Sequence, residues 1–126
     1  MKILSKKQVI ALQNQLIDRY GGIHGIRDEG LLDAALNTPF QTLGGNALYP
    51  DIIEKVSHFG FGLIKSRAFL DGNKRMGTHV MLVFLRLNDI SLKYTDKELT
   101  QLILDIASDV FDCDVLLEWL KKHIEE

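Results

Sequence analysis

One cysteine and two prolines are all that this chain of 126 residues has of the residues that staple or break a fold. Cys113 has no partner for an internal disulfide, and as a small buried or capping residue it reads as structural rather than reactive. A reducing cytoplasm suits it. Both prolines, Pro39 and Pro50, bound one short segment, so no ring interrupts a helix elsewhere. Long apolar runs are missing too: Val80 to Leu85 falls far short of the ~20 residues a membrane span requires. No signal-peptide core stands at the N-terminus. Nor is there a surplus of positive charge: Lys and Arg number 15 against 17 Asp and Glu, a net of -2. No global field therefore recruits nucleic acid or an anionic membrane, and any basic site must be local. A DNA-binding helix-turn-helix is disfavoured further by the lack of a basic recognition helix. Walker-type glycine loops, GxGxxG, internal repeats, linkers and clear alternating strands are all missing. The expectation is a soluble intracellular protein.

What is present is ordinary for a globular domain: 46% hydrophobic and 25% charged residues. The length suits one domain over residues 1–126 with a core that needs no staples. Ser5 with Gln8 makes a capping-box pattern before Val9, Leu12, Leu16 and Ile17 at helical spacing, and Gly21 and Gly22 stop that helix. Asp28 caps a shorter helix through Leu31, Leu32, Ala35 and Leu36, which ends at Pro39. Residues 39 to 50, PFQTLGGNALYP, suit an exposed loop or short hairpin, a flap beside a site. Asp51 caps a helix striped by Ile52, Val56, Phe59, Leu63 and Ile64, in which Gly60 and Gly62 permit close helix contact. The next helix is apolar nearly all round from Val80 to Leu85, as a central helix must be, and Asn88 and Asp89 break it. Thr95 with Glu98 caps a fifth helix, and Asp112 opens a sixth that buries Val115, Leu116, Trp119 and Leu120. The fold class expected is all-α: a compact bundle of about six helices with a short flap loop.

Chemistry concentrates in one turn, FLDGNKR, ahead of the most hydrophobic helix. A helix N-terminus presents unpaired backbone N–H groups and partial positive charge, so it accepts phosphate. Gly72 lets backbone amides approach an oxyanion, Asn73 can donate its amide, and Lys74 and Arg75 add full charges. Asp71 is then the odd residue. A carboxylate in a cationic turn makes sense as a ligand of Mg²⁺, which takes few protein ligands and completes its octahedron with substrate phosphates. Phosphates plus metal suggest a nucleotide. The plainer reading stands beside it: Asp-Gly-Asn is common turn chemistry, Asp71 a helix cap, and Lys74 and Arg75 a solvated first turn.

RAFLDGNKR, Arg67 to Arg75, resembles the HxFx(D/E)GNxR motif of the Fic/Doc family, matching everywhere except at the histidine. RYGGIHGIRDEGLLDAAL, the Pro39 to Tyr49 loop and VMLVFLRLN are also similar to the death-on-curing (Doc) toxins, so the likeness spans most of the chain. It implies that Phe69 packs into the core, that Asp71 holds Mg²⁺, and that Gly72, Asn73, Lys74 and Arg75 surround the phosphates of ATP. It further implies that the flap docks the target and a co-encoded antitoxin, with exposed apolar residues at Phe40, Leu43, Leu48 and Tyr49. Lys74 replaces the glycine usual in Fic AMP-transferases, and Thr78 stands where those have a further arginine. The chain therefore sides with Doc toxins, which transfer the terminal phosphate of ATP to a threonine of the translation factor EF-Tu.

Arg67 occupies the place of the family's general base. A guanidinium stays protonated below pH ~12 and offers only donors, so it cannot take a proton from an attacking hydroxyl. Transfer should be crippled without harm to fold or phosphate binding. His79, one turn beyond Arg75, and His58, on the preceding helix, are the substitute bases to consider, although both read first as satisfied or surface histidines. His24 and His123 have no ligand pattern that suits zinc.

Overall fold

The computed structural model describes residues 1–125. Six α-helices carry the fold: α1 (Lys6–Tyr20), α2 (Glu29–Asn37), α3 (Ile52–Ser66), α4 (Asn73–Leu87), α5 (Asp96–Ala107) and α6 (Cys113–His123). The all-α bundle is thus what the sequence leads one to expect. Five of the six helices start at a side-chain cap. Reciprocal capping boxes join Ser5 to Gln8 and Thr95 to Glu98. Asp28, Asp51 and Asp112 accept from the backbone N–H groups of Leu31, Ile53 and Val115. Each cap stabilises its helix by about 1 kcal/mol.

α3 and α4 form the central pair, with α2 and α6 packed on α3 and α1 on α4. Val56, Phe59 and Leu63 of α3 and Met76, Val80 and Phe84 of α4 are fully buried, joined by Leu32, Leu102, Ile106, Leu116 and Leu120. Burying side chains of this size contributes ~1.5–3 kcal/mol each. Closest approach occurs at Gly77 and Gly60. A Cβ on Gly77 would lie 2.5 Å from Ile64 Cγ1, and one on Gly60 would lie 2.9 Å from Met81 Sδ. Gly62 differs from the expectation: a Cβ there would meet Ala35 at an ordinary 3.5 Å, so no close contact depends on it.

Between α2 and α3 lies a 3₁₀ turn, Thr38–Phe40, and then a hairpin of β1 (Thr42–Leu43) and β2 (Asn46–Ala47). Thr42 pairs with Ala47 and Leu43 with Asn46. Gly44 and Gly45 both take positive φ, 59° and 82°, as a two-residue type I′ connection requires. The four flap residues expected at the surface divide into two pairs. Leu43 (74% exposed) and Leu48 (43%) do face solvent. Phe40 is instead half-buried, stacked on Phe84 with centroids 6.4 Å apart, and Tyr49 is half-buried against the His58 ring at 3.7 Å. Aromatic area near a helix surface is better spent on packing than on water, so these two anchor the base of the hairpin. No helix among the described residues is long and apolar enough to cross a membrane.

Candidate active site

α4 differs from the other helices at its N-terminus. Its N-cap is Gly72, left-handed at φ 71°, and no side chain caps it. The first helical hydrogen bond runs from Met76 N–H to the Gly72 carbonyl at 2.9 Å, so the amides of Asn73, Lys74 and Arg75 precede it. These amides border a cavity of about 680 Å³. Asp71 to Arg75 form one wall, Arg67 and Leu70 continue it, and Tyr20, Ile64, Lys65, Ala107 and Asp109 close the rest.

The turn is built from both of its ends. Asn73 spends its side chain on the loop itself: Oδ1 accepts from Phe69 N–H and Nδ2 donates to the Phe69 carbonyl, each at 3.0 Å. What Asn73 offers the cavity is therefore chiefly its backbone amide. Phe69 is only 2% exposed and pins the loop to the core. Asp71 is not a helix cap. Its Oδ1 accepts from Gly72 N–H at 2.9 Å and its Oδ2 from Ile23 N–H at 3.2 Å, while the residue remains exposed. An ionised carboxylate has about four acceptor sites, so capacity is left for a cation. A single such carboxylate beside an anion-binding turn fits Mg²⁺, which asks for few protein ligands. Among the described residues no cluster of three or more His, Cys, Asp or Glu side chains suggests a metal cage.

The electrostatics favour an anion. Lys65 pairs with Asp109 across the cavity, whereas Arg67, Lys74 and Arg75 form no ion pair among the described residues. Arg75 lies over the Tyr20 ring, 4.4 Å from its centroid, which keeps a desolvated face on the guanidinium and its edge available. Arg67 is exposed at the C-cap of α3, left-handed at φ 50°. The alternative bases lie elsewhere. His79 lines a second hollow with Arg86 and Tyr94, and His58 stacks on Tyr49 with Nδ1 3.3 Å from Cys113 Sγ. Burial pushes the Cys113 thiol up to about 11, so little thiolate exists near neutral pH.

Tyr20, Lys65 and Asp109 line the cavity without having stood out in the sequence. Lys65 and Asp109 are far apart in the chain, and nothing local to either marks the pair. Tyr20 carries a weak signal only, its place beside the Gly21–Gly22 helix stop.

An uncapped helix N-terminus, a flanking carboxylate and cations without ion-pair partners thus meet at one cavity of an all-α bundle. A model of the Fic/DOC family matches residues 3–85. The chain belongs to that family. Toxin Doc of Mycolicibacterium smegmatis is 37% identical over 73 residues, which cover 58% of this chain and 56% of that protein. Little more than half of that relative is therefore spanned. Protein kinase doc of Escherichia phage P1 is 25% identical over 122 residues, 97% of this chain and 95% of the phage protein.

Proposed function

We propose that the cavity binds ATP with Mg²⁺ and that the chain is a Doc-type toxin built to transfer the terminal phosphate to a Ser or Thr hydroxyl. The target by resemblance is the translation factor EF-Tu, and Arg67 leaves this form catalytically crippled. The observation that carries the reading is the convergence of Asp71, the free amides of Asn73 to Arg75 and the unpaired Lys74 and Arg75 on one cavity. Bound there, Mg²⁺ would be held by Asp71 and would offset phosphate charge. The amides and Arg75 would orient the phosphates, and Lys74 would take the terminal one. Position 67 faces the same space, but a guanidinium has no lone pair for the hydroxyl proton. Loss of general-base help lowers such rates ~10²–10⁴-fold. Adenylyl transfer is disfavoured by Lys74, which stands where Fic AMP-transferases usually have a glycine, and by Thr78. That residue is buried, its hydroxyl donating to the Lys74 carbonyl at 2.8 Å, so no second cation reaches the cavity from there.

A small co-encoded antitoxin is the expected partner, in keeping with the toxin name of the Mycolicibacterium smegmatis relative. A disordered segment folding onto the exposed Leu43 and Leu48 would neutralise the toxin in a cytoplasmic setting. A non-catalytic reading, in which the cavity only binds a phosphate or a partner, draws on Arg67 itself. Calorimetry with ATP and Mg²⁺ tests the site. Parent protein should bind, and Asp71→Ala and Arg75→Ala, once shown to be folded, should each weaken binding about tenfold or more. Equal affinity in all three proteins would remove the nucleotide reading.

A further inference from the structure

Residues 23–28 run antiparallel along the motif loop, joined to it by a series of hydrogen bonds. Ile23 N–H reaches Asp71 Oδ2 at 3.2 Å, Gly25 carbonyl accepts from Leu70 N–H at 3.0 Å, and Ile26 bridges Phe69. Arg27 N–H and Asp28 N–H both donate to the Ala68 carbonyl, at 2.7 and 3.1 Å. Glycine stands at two rungs: a Cβ on Gly22 would fall 2.8 Å from Asp71 Oδ2, and one on Gly25 would fall 2.9 Å from Leu70 Cδ1, so either side-chain tip would have to move. Both take a positive φ, 125° and 126°. From below, Gln13, only 1% exposed, donates Nε2 to the Asp71 carbonyl at 2.6 Å.

The Arg27 side chain completes this strap. Its Nε donates to the Arg67 carbonyl at 2.6 Å and its Nη2 to the Ser66 carbonyl at 3.0 Å. These carbonyls stand at the C-terminus of α3, where backbone acceptors lack helical partners and the helix dipole favours a cation. One of them is the carbonyl of Arg67 itself, whose left-handed backbone, φ 50° and ψ 44°, is costly for a side chain with a Cβ. That backbone turn decides where side chain 67 points. A cation that binds both carbonyls in this conformation selects it over the extended alternatives.

We propose that Arg27 is a positioning residue of the site: by clamping the Ser66 and Arg67 carbonyls it holds position 67 left-handed and aims that side chain into the phosphate cavity. The claim about the cavity's ligand rests on the reading above, but the claim about the backbone does not. Arg27→Met keeps much of the stem and deletes both hydrogen bonds, and Arg27→Lys restores a cation with only one donor head. Three quantities are measured in each folded protein: the one-bond Cα–Hα coupling of residue 67, which reports the sign of φ, the amide exchange rates of Leu70 and Ile23 against those of core Phe84, and the affinity for ATP with Mg²⁺. In Arg27→Met, residue 67 should leave positive φ, and exchange at Leu70 should accelerate about tenfold relative to Phe84, the scale of a lost charge-assisted hydrogen bond. ATP affinity should fall with it, and Arg27→Lys should recover part of each. Positive φ retained at residue 67 in Arg27→Met would overturn the proposal, as would exchange that rises equally at Leu70 and Phe84, or a moved loop with unchanged ATP affinity. If parent protein binds no ATP, the nucleotide reading fails on its own, and the coupling and exchange rates still decide whether Arg27 sets the backbone.

Discussion

Two glycines, Gly77 where α4 meets α3 and Gly62 where α3 meets α2, give opposite expectations for the same substitution. Gly77→Ala places a methyl 2.5 Å from Ile64 Cγ1 and 3.1 Å from the Ile64 backbone nitrogen, and backbone cannot give way cheaply. Overpacking of this kind costs ~1–3 kcal/mol. Gly62→Ala meets Ala35 at no less than 3.5 Å, within ordinary contact. There the better helix propensity of alanine should dominate, stabilising by up to ~1 kcal/mol. Urea unfolding of the two variants checks the pair: Gly77→Ala below the parent, Gly62→Ala at or above it. A stable Gly77→Ala would mean that the central helices are free to separate, and the fixed approach of α4 to α3 that supports the anion turn would have to be abandoned.

At the scale of elements the hairpin depends on its base. Tyr49 stacks on His58, and Leu48 N–H donates to the Gln41 carbonyl at 3.0 Å. Burial lowers the His58 pKa from 6.5, with Asp114 and Glu54 opposing the shift. The open chain thus takes the proton more readily than the folded one, so the stability contributed here is full above 6.5 and declines as pH falls below it. Between about pH 8 and pH 5 the melting temperature of the parent should drop more than that of His58→Gln, which has no imidazole to charge. Parallel curves would show that the hairpin base does not titrate. How the elements start was readable because caps are local: Ser5 to Gln8, Thr95 to Glu98, and Asp28, Asp51 and Asp112 act within three residues. The turn ahead of α4 was readable for the same reason. Helical periodicity names the face a residue occupies but not its neighbour. That is why Gly62 was expected, with Gly60, to make a close contact that only Gly60 makes, and why Gln13, Arg27 and the Lys65–Asp109 pair gave no signal; Phe40 and Tyr49 were expected in solvent because they sit in the loop, whose packing no local pattern reveals. Each of those joins segments brought together only by the packed bundle.

For the whole molecule the question is whether one residue separates an inert protein from a toxic one. The net charge of -2 gives no long-range attraction for ATP or for a nucleic acid. On the function proposed above, activity rests on the cavity and its docking face. Every part that the proposed transfer needs except a base surrounds that cavity, and neither His79 nor His58 borders it. Arg67→His replaces a permanent cation with a group that takes a proton near neutral pH, on a backbone whose conformation is already set by its neighbours. Induced without antitoxin, the parent should leave growth unchanged, and Arg67→His should arrest it with the same circular dichroism spectrum. In extract, γ-labelled ATP should label EF-Tu with the histidine form and α-labelled ATP should not. Label from the α position would reassign the chemistry to adenylyl transfer. Two folded proteins that neither slow growth nor modify a target would leave the cavity as a binding site only. A toxic parent would refute the argument from the missing base, because a guanidinium would then stand in a working active site and the proton would have to leave through the substrate.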